Sequence, residues 1–226
     1  MATRYEIVLD VEGYSVKNVG NIPYDVGYIV RNVVTGDIVH RVRHIVAEAW
    51  RNTEQMATCY YAEKLPEYYK NIGHGDLCIV PFATIRAEFA YICSRYHVKR
   101  VWAFNASYDK GALDTACNVF DNGGTFVPDG VVWACIWRYC VYRFASLDYQ
   151  NWARSHDFVT PTGRVKTTAE AAYKYFNDTL DFVEDHTALS DAEIEAEILA
   201  KQRQRHMKAD WGLGSDWRLL DSLINL

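Results

Sequence analysis

The order in which two periodicities occur along the chain constrains its fold most. Three runs rich in β-branched residues, 5–11, 25–34 and 37–46, come before the first clear helical spacing. Strands bury alternate residues and helices bury every third or fourth, so the two patterns read differently. Residues 84–96 place Ile85, Phe89 and Ile92 on one helical face, 100–104 is a short apolar strand, and 107–120 returns to helix. Thr35-Gly36 reads as a hairpin turn between the second and third strands. Early strands, then a helix, a strand and more helices imply an α/β domain with a mixed sheet covered by helices.

The connections are less definite. Residues 13–23 read as a turn-rich link and 50–76 as an irregular, aromatic stretch. The apolar segment 131–144 has no settled state, while 147–155 and 167–176 have helical spacing. Ser190-Asp191-Ala192-Glu193 matches a capping box opening a long helix to about residue 207. The amphipathic tail 211–226 is expected to dock on a single domain spanning 1–226.

Half of the 226 residues are apolar and 23% are charged, enough for a sizeable core. No apolar run of about 18 residues is present and nothing at the start resembles a signal peptide, so a soluble, cytoplasmic protein is expected. Cys59, Cys78, Cys93, Cys117, Cys135 and Cys140 form no C-x-x-C pair, which argues against structural zinc and for buried free thiols. The formal charge of −5 disfavours a protein that grips long duplexes through many phosphates. It does not exclude an enzyme that holds a short end through cations, since two divalent ions would move −5 to −1.

Asp10 and Glu12 end the first strand two residues apart and therefore project to one side. Like charges so close repel unless a cation lies between them, and hard oxygen ligands suit Mg²⁺ or Mn²⁺. Alone, D-x-E is also two solvated acids. Asp109 follows the short strand where a helix begins, a position that also complements the helix dipole, and Asn105 can cap or brace that loop. His186 and Asp191 are spaced H-x-x-x-x-D, with the histidine in a loop and the aspartate in a first helical turn. A histidine there can take a proton from water near neutral pH.

In this order the three pieces resemble the DnaQ-like 3′–5′ exonucleases, in their DEDDh branch of the ribonuclease H-like superfamily, over roughly residues 5–205. Asp10 with Glu12 matches the first motif, Asp109 with Asn105 the second, and His186 with Asp191 the third. Gly13 stands where the family usually has a hydroxyl residue, and Phe104 where a histidine is frequent. The segment 168–191 is similar to bacteriophage-encoded members, which would place the protein in a host cytoplasm.

The resemblance implies a ribonuclease H-like sheet flanked by helices and two Mg²⁺ or Mn²⁺ ions. Asp10 would bridge the ions, Glu12 and Asp191 would complete one shell, and Asp109 would hold the other ion. His186 would be the general base, and single-stranded DNA or RNA 3′ ends would yield nucleoside 5′-monophosphates, with DNA favoured. A polymerase or replication complex is an implied partner. Substrate contacts are expected from Gly13, Tyr14, Asn105 and Tyr108. Further stacking or phosphate contacts are expected from Trp50, Tyr60, Tyr61, Arg41, Arg43, Arg164 and Lys166, while Lys201, Arg203 and Arg205 read as a solvated helix face. The competing readings are a catalytically weak binding or processivity module of the same fold, and an unrelated metal-dependent phosphohydrolase.

Overall fold

The structure is a computed structural model that describes residues 4–204 and 208–224. Six strands form one mixed sheet: β1 (Tyr5–Val16), β2 (Gly20–Asn32), β3 (Ile38–Val46), β4 (Cys78–Val80), β5 (Arg100–Ala103) and β6 (Val132–Cys135), in the order β4-β3-β2-β1-β5-β6. β1 to β3 are antiparallel neighbours, while β4, β5 and β6 each add in parallel. The helices are α1 (Ala47–Trp50), α2 (Thr53–Met56), α3 (Leu65–His74), α4 (Phe82–Arg95), α5 (Ser107–Phe120), α6 (Ile136–Phe144), α7 (Leu147–Ser155), α8 (Ala169–Asn177), α9 (Ala188–Gln204) and α10 (Trp217–Ile224).

Alternation along β1 divides the core. Ile7, Leu9 and Val11 join Ile85 and Phe89 of α4 and Leu113 of α5 on one face. Val8, with Ile29 and Trp102, meets Val141 of α6 and Ile194, Ile198 and Leu199 of α9 on the other. Asp10 and Glu12 share the parity of Val8, so they lie on the face covered by α9.

Several expectations are corrected. Residues 13–23 are not a turn-rich link: β1 and β2 run through them and turn only near 17–19, so Asp10 and Glu12 lie within β1 rather than at its end. Within 50–76 lies α3, with Pro66 in its first turn and Gly75 closing it at φ +82°. Residues 131–144 split into β6 and α6. α9 starts at Ala188, so Ser190 does not cap it; Asp191 N–H bonds Thr187 O at 2.9 Å, and Ala188 N–H donates to the Asp25 carboxylate at 3.3 Å. Its expected continuation through 205–207 lies outside the described residues. Cys78 is exposed, whereas the other five thiols are buried. No helix among the described residues is long and apolar enough to cross a membrane.

The start of α9 rests directly on β2. A Cβ added to Gly27, the register partner of Asp10, would lie 2.2 Å from Leu189 N and 2.3 Å from Ala188 C. Backbone cannot yield as a flexible side chain can. Gly27→Ala is therefore expected to cost about 3 kcal/mol, a fall of roughly 6–12 °C in Tm by calorimetry. An unchanged Tm would refute this close seating.

Candidate active site

Midway along β1, beside the end of β5, the chain gathers carboxylates. One oxygen each from Asp10, Glu12 and Asp191 lie within 4.8 Å of one another. Asp10 and Glu12 come from β1, and Asp191 from the first turn of α9. Asp109, in the first turn of α5, is 1% exposed and accepts from Val11 N–H at 3.2 Å, which fixes it against β1 between Asp10 and Glu12. Asp10, Glu12 and Asp191 thus meet at one place, with Asp109 as a charged neighbour of Asp10, although the four are dispersed over 182 positions of sequence.

Two acidic residues were not anticipated. Glu195, 3% exposed, lies one turn beyond Asp191 and accepts from Phe104 N–H at 3.0 Å. Glu184 is half-buried and lines the same pocket of about 280 Å³. Asp191 and Glu195 are like charges at i and i+4, a pairing that costs an ordinary surface helix stability, and this was the available signal for Glu195.

Burial is the main cause of the perturbed acidities, followed by the neighbouring carboxylates, except at Asp109, where backbone N–H donors from Val11 and Asp109 itself oppose the rise. It holds Asp10 and Glu195 well above the usual range, and Asp109 and Glu195 are the chief charged neighbours of Asp10. Glu12 is pushed up to about 9, Asp191 to about 8, and Asp109 and Glu184 to about 7. Asp10 Oδ2 and Asp191 Oδ1 are buried without a hydrogen-bond partner among the described residues. Buried carboxylate oxygens are normally paired. Orphaned hard oxygens among mutually repelling acids fit a divalent cation such as Mg²⁺ or Mn²⁺.

His186 stands at the rim. Its backbone is left-handed, φ +51°, an uncommon conformation for a residue with a Cβ. The imidazole stacks on Tyr61, centroids 4.3 Å apart and planes 14° from parallel, and Nδ1 lies 3.7 Å from Glu184. Burial, then the nearby Lys64 ammonium, lowers its pKa. Lys64 also binds Asp185 O at 2.6 Å, tying the histidine loop to the segment that carries Tyr61.

The substrate candidates divide. Gly13 and Tyr108 line the acidic pocket, as do Tyr60, 85% exposed, and Tyr61. A Cβ on Gly13 would lie 2.7 Å from Ile22 O, so a hydroxyl residue there would clash with β2. Tyr14 is instead a core residue. The register shifts between Glu12 and Gly13, pairing Tyr14 with Ile22 on the opposite face from Asp10, and its hydroxyl meets Ala49 O at 3.5 Å. Asn105 (φ +64°) lies beside the pocket, where its Oδ1 accepts from Ser215 N–H at 2.9 Å. Trp50 is also core, packed on Tyr68 and Tyr69.

Most expected cations have partners. Arg41 pairs with Glu193 at 2.6 Å, and Arg164 with Asp221 at 2.9 Å. Arg43 forks onto Asp25, a fully buried acid that also accepts from Tyr68 Oη at 2.7 Å. Arg203, read as part of a solvated face, is partly buried against Glu6. Arg205 lies outside the described residues.

Neither a family model nor a curated protein matches the chain. Among solved structures, it is similar to a full-length 3′-exonuclease (12% identity, TM-score 0.61, covering 96% of this chain and 88% of that one). It is also similar to the nuclease domain of 3′hExo, a DEDDh family member bound to rAMP (12%, 0.51, 94% and 98%). A third likeness is to E. coli Exonuclease I in complex with a 5cy-dT13 oligonucleotide (10%, 0.57, covering 99% of this chain but 43% of that one). The sheet order, the helical cover and these likenesses together give the chain the ribonuclease H-like α/β fold found in 3′-exonucleases.

Proposed function

We propose that this chain, as a single domain, is a metal-dependent 3′–5′ exonuclease that removes nucleoside 5′-monophosphates from single-stranded nucleic acid, with DNA favoured. The observation that carries the reading is the Asp10, Glu12 and Asp191 cluster, with its unpartnered buried oxygens, where α9 crosses β1. Similarity to structures that hold rAMP and a dT oligonucleotide supports the substrate class.

In this reading Asp10, Glu12, Asp109 and Asp191 hold two Mg²⁺ or Mn²⁺ ions. When bound, such ions polarise the phosphodiester and offset charge on the attacking and leaving oxygens. Glu12, beside Gly13 at the pocket wall, faces the terminal sugar and restricts attack to a free 3′ end. His186 Nδ1 or Nε2 takes the proton of the attacking water. Its lowered pKa keeps the ring unprotonated, and so able to accept, through neutral pH. Tyr61 fixes the ring plane by stacking.

With a 5′-labelled single strand and Mg²⁺ or Mn²⁺, a descending ladder is expected, slowed by a blocked 3′-hydroxyl and abolished by EDTA. Immediate release of labelled mononucleotide would reverse the polarity. Full activity in excess EDTA, after removal of bound metal, would remove the metal requirement.

A further inference from the structure

Beyond Phe104 and Ala169 the acidic pocket continues into a second groove of about 360 Å³, within the range of small-ligand sites. The two cavities share those residues, but the chemistry changes at the boundary. No carboxylate lines the second groove; its walls include Phe104, Trp137 and Trp217, and Lys166 stands on its edge. Trp137 is 2% exposed, and its indole N–H donates to Thr167 Oγ1 at 2.9 Å. Trp217 packs edge-on against it, centroids 6.0 Å apart, yet remains 38% exposed. The exposed Lys166 ammonium has no ion-pair or hydrogen-bond partner among the described residues, unlike Arg164 beside it.

Trp217 reaches this position because the C-terminal segment is fastened to the site. Ser107 N–H donates to Leu213 O at 2.9 Å, and Ser215 N–H to Asn105 Oδ1 at 2.9 Å. Arg138 reaches Asp210 at 3.3 Å and Asp216 at 3.4 Å. Asn105 and Ser107 flank the loop that leads to Asp109, so the tail and the acidic centre are built on one support.

The geometry points to this groove as the binding site for the nucleotide preceding the terminal one in a single strand, its base against Trp217 and Phe104 and its phosphate toward Lys166. This rests on the exonuclease reading. Three features favour such an occupant. The groove is continuous with the acidic pocket, as the next residue of a bound strand requires. Aromatic faces accept any base by stacking. A lysine without a partner, at a rim free of carboxylates, is complementary to a phosphate. A duplex keeps its bases stacked on one another and cannot offer them to a side wall.

The test compares a short labelled oligothymidylate with the p-nitrophenyl ester of thymidine 5′-monophosphate, which extends no nucleotide into the groove. Binding is read by anisotropy with Ca²⁺ in place of Mg²⁺, and turnover with Mg²⁺. Trp217→Ala is expected to weaken oligonucleotide binding about 5- to 100-fold, and Trp217→Phe to restore most of it. Lys166→Gln should reduce the slope of log affinity against log salt by about 0.7. The ratio of oligonucleotide to ester kcat/KM should fall in both. Binding unchanged in Trp217→Ala and Lys166→Gln would overturn the proposal, and a lowered Tm alone would mean that Trp217 only seats α10. A wild-type protein that hydrolyses neither substrate would instead overturn the exonuclease reading, while the binding measurement still judges the groove.

Discussion

Asp10→Asn is expected to lower turnover by about a thousandfold or more, and to raise the Tm of the metal-free protein. The first effect follows from deleting a ligand charge: several kcal/mol of transition-state stabilisation correspond to about three powers of ten. The second follows from the same residue seen without its cation. Asp10 is held among Asp109, Glu195, Glu12 and Asp191, and burial together with those charges disfavours its ionised form. Asparagine keeps the shape, removes the charge, and supplies N–H groups to carboxylates that have too few donors.

The pH dependence has a defined sign. These folded-state pKa values are raised, so between about pH 4 and the range 7–9 of Asp109, Glu184, Asp191 and Glu12 the folded protein binds more protons than the unfolded chain. The stability they contribute is fully present below the unfolded carboxyl pKa and is lost as pH rises through the folded values. Mg²⁺ should therefore raise Tm more at pH 8 than at pH 6, in a thermal-shift titration across about two pH units. That increment should shrink in Asp10→Asn. Normal turnover in the variant, or an undiminished Mg²⁺ increment, would remove Asp10 from the metal-binding set.

What was legible in the sequence follows from how local each cause is. Asp10 and Glu12 could be read because alternation along a strand is local, and two acids two residues apart in it share one face, although β1 continues past them to Val16. Asp109 could be read because Asn105 and Ser107 mark the junction of strand and helix. Tyr14 could not. Its side is set by the register shift opposite Pro23, which depends on β2. The start of α9 was misplaced because its first free N–H is met by Asp25, 163 positions away, rather than by a nearby hydroxyl. Residues 131–144 are apolar apart from Arg138 and Arg143, so periodicity could not separate β6 from α6. α3 was marked by Pro66 and Gly75, the usual asymmetry of helix ends, but its tyrosines obscured the spacing. Glu195 carries no signal but its like-charge spacing with Asp191 until its helix is laid across β1. The fold was thus legible wherever neighbours in sequence decide, and the site wherever a motif carries its own geometry.

His186→Ala is expected to lower kcat by about 10²- to 10⁴-fold, the usual contribution of a positioned general base. Little stability should be lost. The ring is partly exposed and its stacking partner among the described residues is Tyr61, itself at the pocket rim. Alanine retains a Cβ at φ +51°, so backbone strain does not change sign on substitution. Metal binding should also persist, because the carboxylates that attract the cation are untouched. The pH–rate profile then separates a base from a bystander. Burial and Lys64 lower the pKa of His186, so with Mg²⁺ kept saturating at every pH the wild-type enzyme should lose activity only as pH falls below about 6.5, and that acid limb should vanish in the variant. A substitution that merely loosened the loop would raise KM and leave the limb in place. If His186→Ala turns over at a near-normal rate across about pH 6 to 9, the proton of the attacking water passes directly to solvent and His186 has no catalytic part. The left-handed backbone and the Tyr61 stack would then only shape the entrance to the carboxylate cluster.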